Sequence, residues 1–169
     1  MITENKKRTI FLTGATGLVG SYLLKILLQN GHKVYCLTRS KNNKSARQRV
    51  VDILNFWDKK VYPKHARNLI VLEGDIIYPD FGIKPSKDRE RLISEIEIIF
   101  HSAALPQLRT PIQVIRKINV EGTRHILNFA LQCRGKGGLR KVNHISTAYV
   151  VGTKKNINFT EDMLELDQD

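Results

Sequence analysis

The chain has 169 residues, 41% hydrophobic and 26% charged, which suits one globular domain with a real core. No run approaches the roughly eighteen apolar residues that a membrane-spanning helix needs. The formal net charge is +12, but the basic residues fall in small scattered groups, from Lys6–Arg8 to Lys154–Lys155. No aromatic residues interleave with them to stack bases, so specific nucleic-acid binding is not expected.

Apolar runs alternate with helical patterns along the chain. Thr9 to Thr13 reads as a strand, and Leu18 to Gln29 as a helix stopped by Asn30-Gly31. Lys6, Lys7 and Arg8 before this region imitate a signal peptide. The apolar stretch is soon broken by glycines and threonines, so none is expected. Lys33 to Thr38 is a second strand. Ser45 to Trp57 places Val50, Ile53, Leu54 and Trp57 at helical spacing. Leu69 to Glu73 is a third strand, and Ser86 to Ser94 a short helix with Ser86 as a candidate cap. Ile96 to His101 is a fourth strand. Pro111 to Cys133 reads as one long helix, with Pro111 suited to its first turn. Lys141 to Ser146 is a fifth strand.

This alternation means βαβ units: an α/β, Rossmann-like doubly wound parallel sheet of about five strands. Residues 1–153 are expected to form this Rossmann-like domain, and 154–169 a polar tail. The two cysteines, Cys36 and Cys133, lie far apart in apolar surroundings and read as buried thiols. That usage suits a reducing, cytoplasmic location. No metal site is expected.

The stretch "TGATGLVG" places Gly14, Gly17 and Gly20 between a strand and a helix. It is either a tight structural turn or a phosphate cradle. In the second reading Gly14 permits the turn, Gly17 lets the backbone approach a pyrophosphate, and Gly20 lets helix and strand pack closely. The helix N-terminus attracts the phosphates, with Thr13 and Thr16 adding hydroxyl donors and Leu18 opening the helix. At the end of the second strand, where NAD-binding units carry an acidic residue, "LTRS" has none. Arg39 is either a surface cation or a partner for a 2′-phosphate, with Arg47 or Arg49 within reach of the same place, and the position favours NADP(H). Asp75 of "EGD", followed by Ile76, is either a turn residue or an acceptor for an adenine amino group. "HSAAL" leaves room for a ligand against Ser102, Ala103 and Ala104, while His101 reads as a satisfied core histidine. Thr147, at the end of the fifth strand, either fills a β position or donates to a substrate carbonyl.

With "TGATGLVG", "LTR", "GD", "HSAA", "NVEGT" and "HISTAYVVGT" in this order, the chain resembles the extended short-chain dehydrogenase/reductases over roughly residues 8–153. Within them it is most similar to the thioester reductase domains of carboxylic acid reductases, fatty acyl-CoA reductases and peptide or polyketide synthetases. "HISTAYVVGT" points to that branch. The resemblance implies NADPH binding and reduction of a carrier- or CoA-bound acyl thioester to an aldehyde or alcohol. It implies pyrophosphate contacts at Gly14, Gly17 and Gly20, a 2′-phosphate contact at Arg39, an adenine contact at Asp75 and a cofactor wall at Ala103 and Ala104. It further implies that Asn119 orders the active site and that Thr147 is the catalytic hydroxyl.

One departure limits this. The family's chemistry uses a tyrosine followed four residues later by a lysine. Here Tyr22, Tyr35, Tyr62, Tyr78 and Tyr149 are followed at that distance by Ile26, Arg39, Ala66, Gly82 and Thr153. The expectation is therefore a sheet truncated after its fifth strand. Such a chain holds the cofactor without turning over, and its open sheet edge favours self-association. Two rival readings are a sugar-nucleotide epimerase or dehydratase fragment and a non-catalytic NADP(H)-binding module.

Overall fold

The computed structural model describes residues 6–84, 86–107, 109–136 and 138–147, with positions 152, 158 and 160. Strands β1 (Thr9–Thr13), β2 (Lys33–Thr38), β3 (Leu69–Glu73), β4 (Ile98–His101) and β5 (Lys141–His144) form one parallel sheet in the order β3-β2-β1-β4-β5. The register sets Ile10 beside Val34 on one side and Ile98 on the other.

Period-two alternation divides each central strand between two cores. Ile10, Leu12, Val34 and Cys36 face one way, against α1 (Leu18–Gln29), α2 (Ala46–Trp57) and the start of α3 (Val61–His65). Phe11, Tyr35, Leu37 and Ile99 face the other way, against α4 (Lys87–Glu95) and α6 (Gly122–Gly135). Helices cover both faces, as the strand–helix alternation requires. Phe11, Phe81 and Phe129 form the centre of the second core, with ring centroids 4.8–5.5 Å apart. Such pairs add about 0.5–1.5 kcal/mol each beyond the area they bury.

Helix starts follow local chemistry. Ser45 caps α2 by accepting from the Gln48 N–H at 3.1 Å, and Ser86 caps α4 by accepting from the Arg89 N–H at 3.2 Å. Ser86 is thus the cap the sequence pattern predicts, whereas Ser45, predicted as the first residue of its helix, lies one residue outside it. Helix α1 starts on Gly17 with no side-chain cap and no acidic residue in its first turn. Its amino-terminal N–H groups are thus left for another acceptor.

The structure differs from the sequence pattern in four further places. Helix α3, with the 3-10 turn Ala66–Asn68, fills a stretch that shows no helical period. Its Pro63 sits in the first turn, where a missing N–H costs nothing. Strand β4 begins at Ile98 because the Ile96 N–H ends α4 on the Leu92 carbonyl. Strand β5 ends at His144, although the Ile145 N–H still donates to the His101 carbonyl at 2.9 Å. The predicted long helix is helical from Ile112 to Gly135, but α5 (Ile112–Ile115) and α6 are joined by a π-helical segment, Arg116–Glu121. Cys36 and Cys133 are buried free thiols, as expected. Strand β5 lies at one edge of the described sheet. No described helix is long and apolar enough to cross a membrane.

Candidate functional site

Strand order reverses direction between β1 and β4, and a crevice opens there at the carboxyl ends of the strands. The resulting cleft, about 420 Å³, is lined by the turn after β1 (Thr13–Gly17) and the ends of β2 (Leu37–Arg39), β3 (Gly74–Ile76) and β4 (Ser102–Ala104). Four separate sequence signals thus converge on one hollow.

The glycine turn forms its floor. Gly14 has φ +74°, and a Cβ there would lie 2.5 Å from the Ser102 carbonyl carbon, so only glycine fits. A Cβ on Gly20 would lie 2.2 Å from the Gly14 carbonyl oxygen. Gly20 is buried, outside the cleft, and lets α1 pack against the turn. Gly17 differs: a Cβ there would meet only the Gly14 oxygen, at 3.4 Å. Its missing side chain leaves space on the cleft side, beside the uncapped start of α1.

Cations gather at the end of β2. Arg39 Nη1 reaches Asp75 Oδ2 at 3.2 Å, and its side chain is 53% exposed. Arg49 donates to the Arg39 carbonyl and, at 3.1 Å, to Thr16 Oγ1, joining β2 to the glycine turn. Arg47, two residues earlier on α2, points elsewhere and donates to Tyr62 OH at 2.6 Å. At 3.6 residues per turn, positions two apart lie on nearly opposite faces, so only one of these arginines serves the cleft. Lys41 joins the lining through a tight turn in which Asn42 and Asn43 adopt φ of 53° and 58°. Asparagine tolerates that conformation better than other side chains.

Asp75 is held from several sides. Its Oδ1 accepts from the Ile77 N–H at 3.2 Å, and its own N–H donates to the Phe81 carbonyl at 3.0 Å. A second hollow of about 550 Å³ continues past Asp75, lined in part by Tyr78, Phe81 and Gly82. The two hollows share Arg39, Lys41, Gly74 and Asp75.

The far wall rests on buried polar chemistry. Thr13 Oγ1 lies 2.7 Å from His101 Nδ1 and accepts from the Ala103 N–H at 3.2 Å. The Thr13 hydroxyl is thus committed inside the protein, not offered as a ligand donor. His101 is 1% exposed, the satisfied core histidine the sequence favours. Burial, reinforced by the neighbouring His144, pulls its imidazole down to about 4. Asn119 lies behind the wall: its side-chain amide accepts from the Leu105 N–H at 2.8 Å and donates to the Leu105 carbonyl at 3.1 Å.

The structure therefore brings together Gly14, Thr16, Gly17, Arg39, Arg49, Asp75, Ile76, Ser102, Ala103 and Ala104. It does not bring every candidate into the cleft. The Leu18 side chain is 76% exposed and outside it, which leaves only its backbone at the helix start to serve there. Asn119 and Thr147 are also outside the lining; Thr147 is exposed, three residues past the end of β5. Tyr149 lies outside the described residues. Sequence reasoning missed Thr38, Lys41, Gln107 and Ile118. Thr38 carried a signal, because it is the last residue of the strand whose end was already singled out.

The same geometry tests what the cleft fits. Among the described residues, Thr38 Oγ1 is the buried side-chain polar atom with no hydrogen-bond partner, and it belongs to a cleft residue. An uncapped helix start, space over Gly17 and cationic side chains at the end of β2 suit a phosphorylated, elongated ligand.

The family model described as male sterility protein, an NAD-binding family, matches residues 12–168. The chain belongs to this family. It is 31% identical over 150 residues to the fatty acyl-CoA reductase wat of Drosophila melanogaster, covering 85% of this chain and 28% of that protein. The terminal R domain of the myxalamid PKS-NRPS biosynthetic pathway superposes with a TM-score of 0.77 at 33% identity, over 94% of this chain and 40% of that one. UDP-glucuronic acid 4-epimerase from Bacillus cereus, solved with UDP-glucuronic acid and NAD, gives 0.63 at 25% identity, over 92% and 45%. The domain is a fatty acyl-CoA reductase-like NAD(P)-binding domain, with the Rossmann-like fold of extended short-chain reductases. The chain spans 28–33% of the length of the first relatives it matches.

Proposed function

We propose that the cleft binds NADP(H), with the pyrophosphate over Gly17 at the start of α1 and the 2′-phosphate beside Arg39. The observation that carries this is the cation set at the end of β2. Arg39 stands where a carboxylate would hold an unphosphorylated ribose, and Lys41 and Arg49 line the same cleft. An arginine fork pairs well with phosphate, and adjacent cations add to its attraction. Asp75 retains unused lone pairs beside Arg39 and Ile77, which suits acceptance from the adenine amino group. Ala103 and Ala104 supply the flat wall along the nicotinamide half.

We further infer that the domain serves the reduction of a CoA- or carrier-bound acyl thioester to an aldehyde or alcohol. The fatty acyl-CoA reductase relatives and the R-domain likeness support this reading. When bound, the nicotinamide supplies the hydride. This chain's part is to hold the dinucleotide, exclude water along the Ser102–Ala104 wall and offer the Thr147 hydroxyl to the carbonyl oxygen. Asn119 orders the wall from behind. Residues 1–169 contain no tyrosine followed four residues on by lysine. They are accordingly proposed to bind the cofactor without oxidising it; NADPH oxidation by the pure chain with an acyl thioester would refute this.

Calorimetric titration tests the cofactor. The wild type is expected to bind NADPH at least about tenfold more tightly than NADH, equivalent to about 1.4 kcal/mol. Arg39→Ala should erase most of that preference while leaving NADH affinity nearly unchanged. Equal affinities in the wild type, or an unchanged preference in the variant, would remove the 2′-phosphate from this place.

A further inference from the structure

The residues behind the cleft wall form a continuous chain of hydrogen bonds. Ala103 N–H donates to Thr13 Oγ1 at 3.2 Å, and Thr13 Oγ1 meets His101 Nδ1 at 2.7 Å. On the other side of the ring, Nε2 lies 3.1 Å from Thr123 Oγ1, and that hydroxyl donates to the Asn119 carbonyl at 2.6 Å. Asn119 in turn clamps Leu105 by both of its backbone groups.

Proton counting along this chain allows one assignment. The Thr123 hydroxyl has a single proton, and the Asn119 carbonyl takes it. Nε2 must therefore carry the hydrogen between His101 and Thr123. Nδ1 is then bare and accepts the single Thr13 proton, while the Thr13 oxygen still accepts from Ala103. In the opposite tautomer the Thr13 proton has no acceptor and two bare acceptor sites face each other at Thr123. A protonated ring strands the Thr13 proton as well.

We infer that His101, held as the neutral Nε2–H tautomer between Thr13 and Thr123, is a positioning residue that ties β1 to the helix bearing Asn119 and sets the Ser102–Ala104 wall for dinucleotide binding. This rests on the dinucleotide reading of the cleft. Two features of the fold agree with it. Thr13 and His101 are direct register partners in neighbouring strands, so the β1–β4 pairing itself fixes their contact. Asn119 lies in the π-helical segment Arg116–Glu121, a local widening of a kind frequent at functional sites. The wall is therefore gripped at Ala103 from β1, and Leu105, the residue that follows the wall, is gripped from the long helix, with the imidazole as the rigid spacer.

The test uses the 169-residue chain, with Thr123→Val, which keeps the shape and removes the hydroxyl, and Thr123→Ser, which restores it. Nitrogen-15 spectra of the wild type are expected to show Nε2 protonated and Nδ1 bare at neutral pH. Thr123→Val is expected to speed amide hydrogen exchange at Ala103 and Leu105 and to weaken NADPH binding, each by about tenfold. Thr123→Ser should recover both. A wild-type Nδ1–H or doubly protonated ring overturns the inference, and it does so even if the valine variant fails to fold. Unchanged exchange at Ala103 and Leu105 in a folded Thr123→Val also overturns it. A wild type that binds no dinucleotide refutes the proposed function, and the tautomer and exchange results still decide whether His101 positions the wall.

Discussion

Two glycines three residues apart are expected to fail in different ways when they are replaced. At Gly20 an added Cβ lies 2.2 Å from the Gly14 oxygen and 2.7 Å from its carbonyl carbon. Both are backbone atoms, so no flexible side chain can yield. Alanine gains about 1 kcal/mol of helix propensity over glycine, but overpacking a close backbone contact costs roughly 1–3 kcal/mol or more. We expect Gly20→Ala to lose about 2 kcal/mol net, lowering Tm by about 4–8 °C for a domain of this size. At Gly17 the nearest atom to an added Cβ is 3.4 Å away, and the position is the N-cap of α1. Serine caps better than glycine by a few tenths of a kcal/mol, so Gly17→Ser should melt at or slightly above the wild type. Its side chain nevertheless occupies the space assigned to the pyrophosphate. NADPH affinity is expected to fall at least about tenfold, or 1.4 kcal/mol. Calorimetric melting and NADPH titration of both variants give the answer. An undiminished Tm for Gly20→Ala would refute the packing argument. Wild-type affinity in Gly17→Ser would refute the phosphate position.

Other outcomes follow from charges and thiols. Burial opposes ionisation of Glu95, yet hydrogen bonds from Lys33, Arg91 and Tyr35 outweigh it and hold the carboxyl at about 2 against an ordinary 4.5. The stabilisation is complete above the ordinary value and is lost as pH falls from there towards 2. Melting curves between those limits should therefore be flatter for Glu95→Gln than for the wild type, and parallel curves would show that this carboxylate contributes nothing. Burial raises both thiols, Cys133 to about 12. Neither should react with a thiol-specific reagent at neutral pH until the protein is denatured, so rapid labelling of the native chain would contradict the packing of these cysteines.

Local sequence determined the boundaries of β1, α1, β2 and β3, because strand and helix periods are written in neighbouring residues. It also placed the glycine turn, Arg39, Asp75 and the Ser102–Ala104 stretch at strand ends, where the fold class gathers ligand contacts. Only the tertiary structure decided which neighbours compete for each group. The Thr13 hydroxyl, read as a ligand donor, is taken by a histidine 88 residues away. Gly20, for which the resemblance implied a pyrophosphate contact, lies outside the cleft against the Gly14 carbonyl. Arg47 and Arg49 are equivalent as letters and divergent on the helix, one bonded to Tyr62 and the other to Thr16. Asn119 serves Leu105 across a loop that no periodicity encodes. The physical reason is common to all four. Periodicity states which face of an element is buried, whereas a hydrogen bond or a close backbone contact depends on where two distant segments meet.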